Sequence, residues 1–336
     1  MKFIPNKHLP IQKIRNSIQL LFLLLCIWIG IEFYFFVSYL KSNGITGSFH
    51  RPPGVEGFLP ISSLMNVLYF LKTGIVHSYH PAGFFIFIAI MLISFVFAKS
   101  FCSWLCPVGF LSELLSKLRK KLGLKKVVFI SWFDIPLRTI KYLLLGFLVF
   151  VVSSMSIMAL SVFLNGGYNI VCDIRMYDFF ANLTLVSLIV IGILIIASFF
   201  IESFWCRYLC PYGALLGITG LASPIKVKRD VNYCIDCGKC NKVCPSNINV
   251  AKSKFVISDE CTSCAQCVDV CPVNDTLQFT IIATKKSINK KYIVFIITGL
   301  FILITSIAMY TGKWQNKISK ETYFQYYKIR ETLHHH

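Results

Sequence analysis

Five long apolar runs constrain this chain more than any other feature of its sequence. They lie near residues 17–40, 82–99, 139–163, 182–203 and 292–312. Each approaches or exceeds the roughly 20 apolar residues that cross a hydrocarbon core of about 30 Å. Backbone polar groups find no water inside a bilayer, so such runs must be helical. We therefore expect an α-helical integral membrane protein with about five transmembrane helices. The first run is too long for a signal peptide, whose apolar core has about 7 to 15 residues, and is expected to stay as an anchor.

Composition and charge agree with a membrane protein. The chain has 336 residues, is 56% hydrophobic and carries a net charge of +19. The segment before the first run and the segments after the second and fourth runs hold 25 Lys and Arg, against 9 in the alternate segments. The positive-inside rule then places the amino terminus and the long segment after the fourth run in the cytoplasm, and the carboxyl terminus outside. We expect a multi-pass protein of a bacterial plasma (inner) membrane, with the lipid bilayer as a partner and no nucleic acid.

A sixth apolar segment, GFLPISSLMNVLYFLKTG at residues 57–74, is too short to cross a bilayer. We expect it to form a short helix on the outer side. An interfacial helix and a re-entrant helix both fit the sequence, and the second would need burial against other helices.

A hydrophilic insert at residues 223–285 separates the fourth and fifth runs. It contains CIDCGKCNKVCP and CTSCAQCVDVCP, two copies of the CxxCxxCxxxCP run that binds [4Fe-4S] clusters. Since the fourth cysteine of each run binds the other cluster, we predict a bacterial-type 2[4Fe-4S] ferredoxin domain of the α+β class. A zinc site would not need eight ligands with this crossed spacing. The predicted ligands are Cys234, Cys237, Cys240 and Cys271 for the first cluster, and Cys261, Cys264, Cys267 and Cys244 for the second.

Two further cysteine pairs end the second and fourth apolar runs, in FCSWLCPVG at residues 101–109 and FWCRYLCPYG at residues 204–213. The proline after each pair disfavours a helix at the second cysteine and favours a new one, so that cysteine is expected at a helix N-cap. Both runs have the same predicted direction, and packing of the two repeats would bring the pairs together at the cytoplasmic face. We predict a further metal centre, of iron–sulfur or copper type, although a zinc site or two redox-active dithiols also fit. Its ligands would be Cys102, Cys106, Cys206 and Cys210.

The predicted organisation has four parts. Residues 1–222 form a membrane domain with two parallel repeats of a span and a CxxxCP motif, and residues 223–285 form the cytoplasmic insert. The last transmembrane helix covers residues 286–312, and residues 313–336 form an extracytoplasmic tail. The three terminal histidines are not considered as ligands.

The outer segment also contains ionisable residues among apolar ones. Arg51, Glu56, His77 and His80 could bind a quinone head group and exchange its protons. Anchoring at the membrane interface would explain the same residues.

The twin CxxxCP motifs, the double CxxCxxCxxxCP insert and the stretch HRPPGVEGFLPISSLM at residues 50–65 resemble the NapH/MauN ferredoxin-type membrane iron–sulfur proteins, related to the membrane parts of NosR and CcoG. The resemblance implies electron transfer in anaerobic respiration, between quinol or quinone and a redox protein partner. As an enzyme, the protein would be a quinol dehydrogenase-type oxidoreductase subunit. Two alternatives stay open: a metal-handling factor whose CxxxCP thiols bind and reduce copper, and a membrane anchor for a redox complex.

Overall fold

The structure is a computed structural model that describes residues 10–45, 47–127 and 129–333. The terminal histidines lie outside these ranges. The chain forms two compact units. The cysteine-rich unit consists of residues 1–23, 90–146 and 191–301, and the cysteine-poor unit of residues 24–89, 147–190 and 302–336.

The described residues are mostly helical. In chain order the α-helices are α1 (Gln12–Lys41), α2 (Pro60–Thr73), α3 (Pro81–Phe97), α4 (Ser100–Trp104), α5 (Pro107–Lys121), α6 (Ser131–Ser154), α7 (Ile157–Asn165), α8 (Gly167–Ile170), α9 (Cys172–Ala181), α10 (Leu185–Phe200), α11 (Pro211–Leu221), α12 (Lys239–Val243), α13 (Gln266–Val270), α14 (Lys290–Tyr310) and α15 (Lys320–Lys328). The strands are β1 (Ile225–Arg229), β2 (Leu277–Ile281) and β3 (Ser287–Ile288).

Three described helices are long and apolar enough to cross a membrane: Gln12–Lys41, Trp132–Ser154 and Lys290–Tyr310. A fourth candidate is the pair α9 and α10, which meet at 85°. The second predicted span corresponds to α3, an apolar helix of 17 residues. The structure therefore has three or four candidate spans by length and composition, and the count of five stays a prediction.

The bounds predicted for the third span, 139–163, are wrong. Helix α6 begins at Ser131 and ends at Ser154, and α7 begins at Ile157. The apolar run continues through this break, which hydropathy alone does not reveal. The break occurs because the side chain of Ser156 accepts a hydrogen bond of 3.1 Å from the backbone N–H of Ala159, an N-cap that starts a new helix.

The predicted short helix is present in the cysteine-poor unit as α2. It ends at Gly74, whose φ of 73° is the left-handed conformation that glycine adopts at helix ends. Its buried Met65 packs in one apolar cluster with Val152, Leu160 and Leu164. Helix α2 is thus held against α6 and α7 by apolar contacts, while its depth in a bilayer stays a prediction.

The insert carries an antiparallel sheet in the order β1-β2-β3. Ile225 pairs with Ile281 and Arg229 with Leu277, so the first and last segments of the insert lie side by side. Val227 and Phe279, opposite one another in this register, are both buried. The sheet therefore closes the insert, and both cysteine motifs lie on the chain between β1 and β2.

Asp269, in α13 of the insert, joins the beginnings of α1 and α14. Its carboxylate accepts hydrogen bonds from the backbone N–H of Ile11 at 2.9 Å and from Nε2 of Gln12 at 3.0 Å. It also pairs with Nζ of Lys290 at 2.5 Å. Within the cysteine-rich unit, these bonds fix the insert to two of the long helices.

Candidate functional site

The two CxxCxxC motifs form loops with the same backbone conformation. We call residues 231–240 the first cysteine loop and residues 258–267 the second cysteine loop. Asp236 and Gly238 have positive φ values of 49° and 66°, and the matching Ser263 and Ala265 have values of 47° and 62°. Left-handed residues at the same two positions turn both loops along the same path, so the two motifs are structurally equivalent.

The second cysteine loop and the end of the first motif enclose one small cavity. The cavity has a volume of about 20 Å³. Its lining includes all four cysteines predicted to bind the second cluster, namely Cys244, Cys261, Cys264 and Cys267. The structure therefore places Cys244, the fourth cysteine of the first motif, beside the second cysteine loop.

The reciprocal arrangement occurs at the first cysteine loop. Burial raises the pKa of the Cys271 thiol, and the adjacent Cys237 and Cys234 raise it further. The fourth cysteine of the second motif thus lies near the loop of the first, together with Cys240, which Cys234 and Cys237 also influence. Eight thiols in two crossed sets are the donor chemistry that two [4Fe-4S] clusters need.

The CxxxCP cysteines occupy the N-caps that the sequence predicts. Cys106 is the N-cap of α5 and Cys210 is the N-cap of α11, each with proline at the first helical position. The sulfur of Cys210 accepts a hydrogen bond of 3.3 Å from the backbone N–H of Gly213. The expected position of both cysteines is therefore confirmed.

The glycine two residues after each of these prolines has a steric role. A Cβ atom added to Gly109 would lie 2.0 Å from the carbonyl oxygen of Cys102, and one added to Gly213 would lie 3.1 Å from that of Cys206. In both repeats the new helix thus packs directly on the backbone of the first cysteine. This contact explains why the motif extends to CxxxCPxG.

The CxxxCP thiols lie close together, because the pKa values of Cys102, Cys106 and Cys206 each respond to other cysteines of the set. Burial raises the pKa of Cys102 and of Cys206, and charges on the other cysteines of the set raise both further. Burial also raises the pKa of Cys106, to about 11. Without a metal these three thiols are protonated at neutral pH, so a bound cation would have to displace their protons.

The first CxxxCP repeat and α1 hold the second cysteine loop by its backbone. Four consecutive carbonyl oxygens of this loop each accept a hydrogen bond from the helical part of the cysteine-rich unit. The pairs are Lys99 N to Cys261 O at 3.3 Å, Ser103 Oγ to Thr262 O at 2.6 Å, Trp104 Nε1 to Ser263 O at 3.1 Å and Gln12 Nε2 to Cys264 O at 3.0 Å. The loop therefore sits directly against a CxxxCP motif.

Glu260, immediately before this loop's first cysteine, adds a buried ion pair. Its carboxylate lies 3.3 Å from Nζ of Lys99 and also pairs with Lys141, and all three residues are buried. Sequence reasoning missed these residues. The sequence did contain a signal for them. Lys99 ends one apolar run and Lys141 lies near the start of the next, and an unpaired charge at such a position is costly.

A cavity of about 100 Å³ lies at this junction. Cys102, Cys206 and Cys264 line it, so it adjoins both CxxxCP motifs and the second cysteine loop. Its lining also holds five basic residues, among them Arg15, Lys99 and Arg207, and the acidic residues Glu113, Glu202 and Glu260. This excess of basic over acidic residues favours a negatively charged thiolate-bound centre.

In the cysteine-poor unit, three of the four predicted quinone-site residues meet in a buried ion cluster. Arg51 pairs with Glu56 at 2.6 Å and with Asp173 at 2.5 Å. The other oxygen of Glu56 accepts a hydrogen bond of 2.8 Å from the N–H of Gly83, in the first turn of α3. Asp173, which the sequence reasoning did not single out, completes the cluster.

His80 belongs to this cluster, whereas His77 does not. His80 Nδ1 lies 3.5 Å from Glu56 and its Nε2 lies 2.8 Å from the carbonyl oxygen of Asn169. Burial alone would lower the pKa of His80, but hydrogen bonding to Cys172 and Glu56 outweighs burial and raises the pKa to about 10. A proton on His80 also balances the second carboxylate. His77 packs instead on Tyr69 and Tyr79, and burial lowers its pKa.

We predict that Gly109→Ala destabilises the protein strongly, because its methyl group would overlap the carbonyl of Cys102. Overpacking of this kind costs about 1–3 kcal/mol or more. The matched control is Gly192→Ala in α10, where an added Cβ meets no atom within 4 Å. Thermal unfolding of the detergent-solubilised protein measures both effects. Equal melting temperatures for the two variants would contradict the packing role.

We also predict a pH dependence that His80 causes. Because its pKa rises from an ordinary value near 6.5 to about 10 on folding, its contribution to stability is complete below about pH 6.5 and is lost as the pH rises towards 10. The difference in melting temperature between the wild type and His80→Gln should therefore shrink between pH 7 and pH 9. A constant difference across this range would show that His80 is not protonated in the folded state.

Comparisons with known proteins agree with the donor chemistry. Residues 79–125 and 183–230 each match a family model described as a 4Fe-4S binding domain, and each match contains one CxxxCP motif. Residues 227–279, which include both cysteine loops, match a 4Fe-4S dicluster domain. No solved structure matches the chain.

Three relatives are informative. The chain is 44% identical over 316 residues to the putative electron transport protein YccM of Escherichia coli, covering 92% of this chain and 88% of that protein. It is 34% identical over 151 residues to the ferredoxin-type protein NapH of Haemophilus influenzae, with 44% and 48% covered. It is 30% identical over 205 residues to the methylamine utilization ferredoxin-type protein MauN of Methylorubrum extorquens, with 56% and 62% covered. The chain therefore belongs to the family of ferredoxin-type 4Fe-4S electron transport proteins that includes YccM, NapH and MauN.

Proposed function

We propose that this membrane protein carries electrons between the quinone pool and a redox protein partner. In this proposal the insert holds two [4Fe-4S] clusters, each of which accepts and releases one electron at a time. The four CxxxCP cysteines hold a third centre. The insert faces the cytoplasm of a bacterium, as the distribution of basic residues favours.

One observation carries the proposal. The second cysteine loop is fixed by four consecutive carbonyl groups to the first CxxxCP repeat and α1. Cys264 of this loop and the CxxxCP cysteines Cys102 and Cys206 line the same cavity. Two sets of thiols that are held this rigidly beside one another are suited to passing electrons between the centres they bind, because little reorganisation is needed.

An iron–sulfur centre suits the CxxxCP set better than copper does. In the parts of the chain that the structure describes, no group of three or more His, Cys, Asp or Glu is arranged to bind a single metal ion. A three- or four-coordinate ion needs its ligand atoms about 2.0–2.3 Å away, whereas a cluster spaces its thiolates further apart. A copper(I) ion on one pair of thiols would need only two ligands, and the metal analysis described below tests for it. The match of both CxxxCP regions to a 4Fe-4S binding domain supports the same choice.

The buried ion cluster supports the quinone end of the proposal. His80 holds a proton beside the carboxylate of Glu56, and Arg51 supplies a fixed positive charge. His80 keeps this proton at neutral pH and can donate it to a quinone as the quinone is reduced. The test is addition of a soluble quinol to oxidised protein in nanodiscs under anaerobic conditions, and bleaching of the cluster absorbance is the expected result. No bleaching with quinol, and no reoxidation by quinone, would overturn this end of the proposal.

We predict about twelve iron atoms in the anaerobically purified wild-type protein, since three cubanes hold four each, and about eight in the double variant Cys102→Ala/Cys206→Ala. Iron and sulfide analysis with EPR measures both. The matched control is Cys26→Ala, which changes a cysteine of α1 outside the proposed ligand sets and should keep all the iron. Eight iron atoms in both proteins would contradict a third cluster, and copper bound by the wild type alone would favour the metal-handling function.

We predict that Trp104→Phe shifts the reduction potential of one cluster without loss of iron. The substitution removes the donor to the Ser263 carbonyl and leaves this buried oxygen unpaired, at a cost of about 1–3 kcal/mol. Trp132→Phe is the control, because Trp132 is 78% exposed. Redox titration followed by EPR measures the potentials. Unchanged potentials in Trp104→Phe would show that loop position does not tune the cluster.

A further inference from the structure

The two cysteine loops have the same backbone path but opposite surroundings. Seven of the ten residues of the first cysteine loop are exposed, whereas none of the ten residues of the second is. The second loop is covered by the CxxxCP repeat and α1, as described above. The first loop has no such cover among the described residues, and it includes Cys237, which is exposed.

The exposed first loop has more apolar residues than the covered second loop. This is unusual, because apolar residues are ordinarily the buried ones. Val231, Tyr233 and Ile235 of the first loop are 57%, 52% and 55% exposed. The matching residues of the covered loop are Ser258, Glu260 and Thr262, which are all polar. Exposed apolar residues grouped around a functional site are typical of a surface that another protein covers.

The charges of the two halves of the insert are also opposite. Residues 228–254, which contain the first motif, carry six basic and two acidic residues. Residues 255–281, which contain the second motif, carry four acidic residues and no basic one. The acidic half uses Glu260 and Asp269 to bind lysines of the helical part of the same unit, at Lys99, Lys141 and Lys290.

The basic half has no matching acidic surface in its own unit among the described residues. An exposed lysine, Lys239, lies in the first loop, and exposed lysines follow it at Lys242, Lys252 and Lys254. Asp236 is the acidic residue of this loop, and it already pairs with Arg229 at 3.4 Å. Each half of the insert therefore presents a loop and a charge of one sign. Among the described residues of this unit, the acidic half pairs with lysines of the helical part, and the basic half has no such acidic partner there.

From this asymmetry we infer that the first cysteine loop, with its apolar residues Val231, Tyr233 and Ile235 and the lysines beside it, is the docking surface for an acidic soluble electron-carrier protein. The inference rests on the proposed electron-transfer function and names the kind of partner and the place where it binds. One electron passes between the carrier and the first cluster, so one is reduced as the other is oxidised, and no proton or bond is transferred. The carrier covers the first loop as the CxxxCP repeat covers the second.

The test uses the full chain, anaerobically purified and placed in nanodiscs, with an acidic plant-type ferredoxin as the probe. We expect saturable binding that weakens as salt is added, because opposite charges are screened. Ile235→Glu should weaken binding and slow electron transfer by about tenfold or more, since it puts a like charge into the contact. Ile257→Glu is the control, because Ile257 is an equally exposed isoleucine (63%) of the same insert outside the first loop. It should stay within about twofold of the wild type.

Two further measurements separate the outcomes. Hydrogen–deuterium exchange of residues 231–240 should slow when the acidic carrier is added. Slowing caused by anionic lipid alone, or by dimerisation of the protein, would overturn the inference in favour of a membrane or a second copy. Equal binding by Ile235→Glu, or stronger binding of a cationic carrier such as cytochrome c, would also overturn it. If the wild-type protein held no iron–sulfur clusters, the proposed function itself would fail, whereas intact clusters with no carrier binding would contradict the docking surface alone.

Discussion

The hydrogen bonds between the second cysteine loop and the helical part of its unit are the interaction on which the proposed electron path depends. A cluster-binding loop exposes a series of backbone carbonyl groups, because its left-handed turns leave no regular partners for them. Here four of these groups in succession are satisfied by donors from the first CxxxCP repeat and α1. A buried carbonyl without a donor is costly, so the loop and the repeat hold one another in a single position.

Charge pairing reinforces this position. Glu260 is buried between Lys99 and Lys141, and neither lysine would be stable when buried without a partner. Asp269, nine residues after Glu260, pairs with Lys290 and joins the beginnings of α1 and α14. The acidic half of the insert is therefore part of the packing of its unit, while the basic half stays open to solvent. An approximate internal repeat thus provides two cysteine loops of the same conformation with different neighbours.

The cysteine-poor unit depends on a different constraint. Arg51 is buried against two carboxylates, and His80 supplies a second positive charge. The sequence indicated three members of this cluster because ionisable residues are rare in apolar surroundings. It did not indicate Asp173, which lies 122 positions after Arg51. Helix α9 also contains Arg175 and Asp178, and no local pattern distinguishes Asp173 from them. It also grouped His77 with the others, although that ring packs among tyrosines.

The sequence by itself determined the chemistry of this protein. The spacing of its cysteines specified the crossed thiol sets, since each loop is local, and the proline after each CxxxC pair specified the helix N-caps. The apolar runs indicated the long helices, but not the break between α6 and α7, because a serine N-cap does not alter hydropathy. Only the tertiary structure decided that the second loop packs against a CxxxCP repeat while the first stays exposed. That difference arises from hydrogen bonds and ion pairs between residues 119 to 252 positions apart, such as Trp104 with Ser263. No local pattern encodes such pairings.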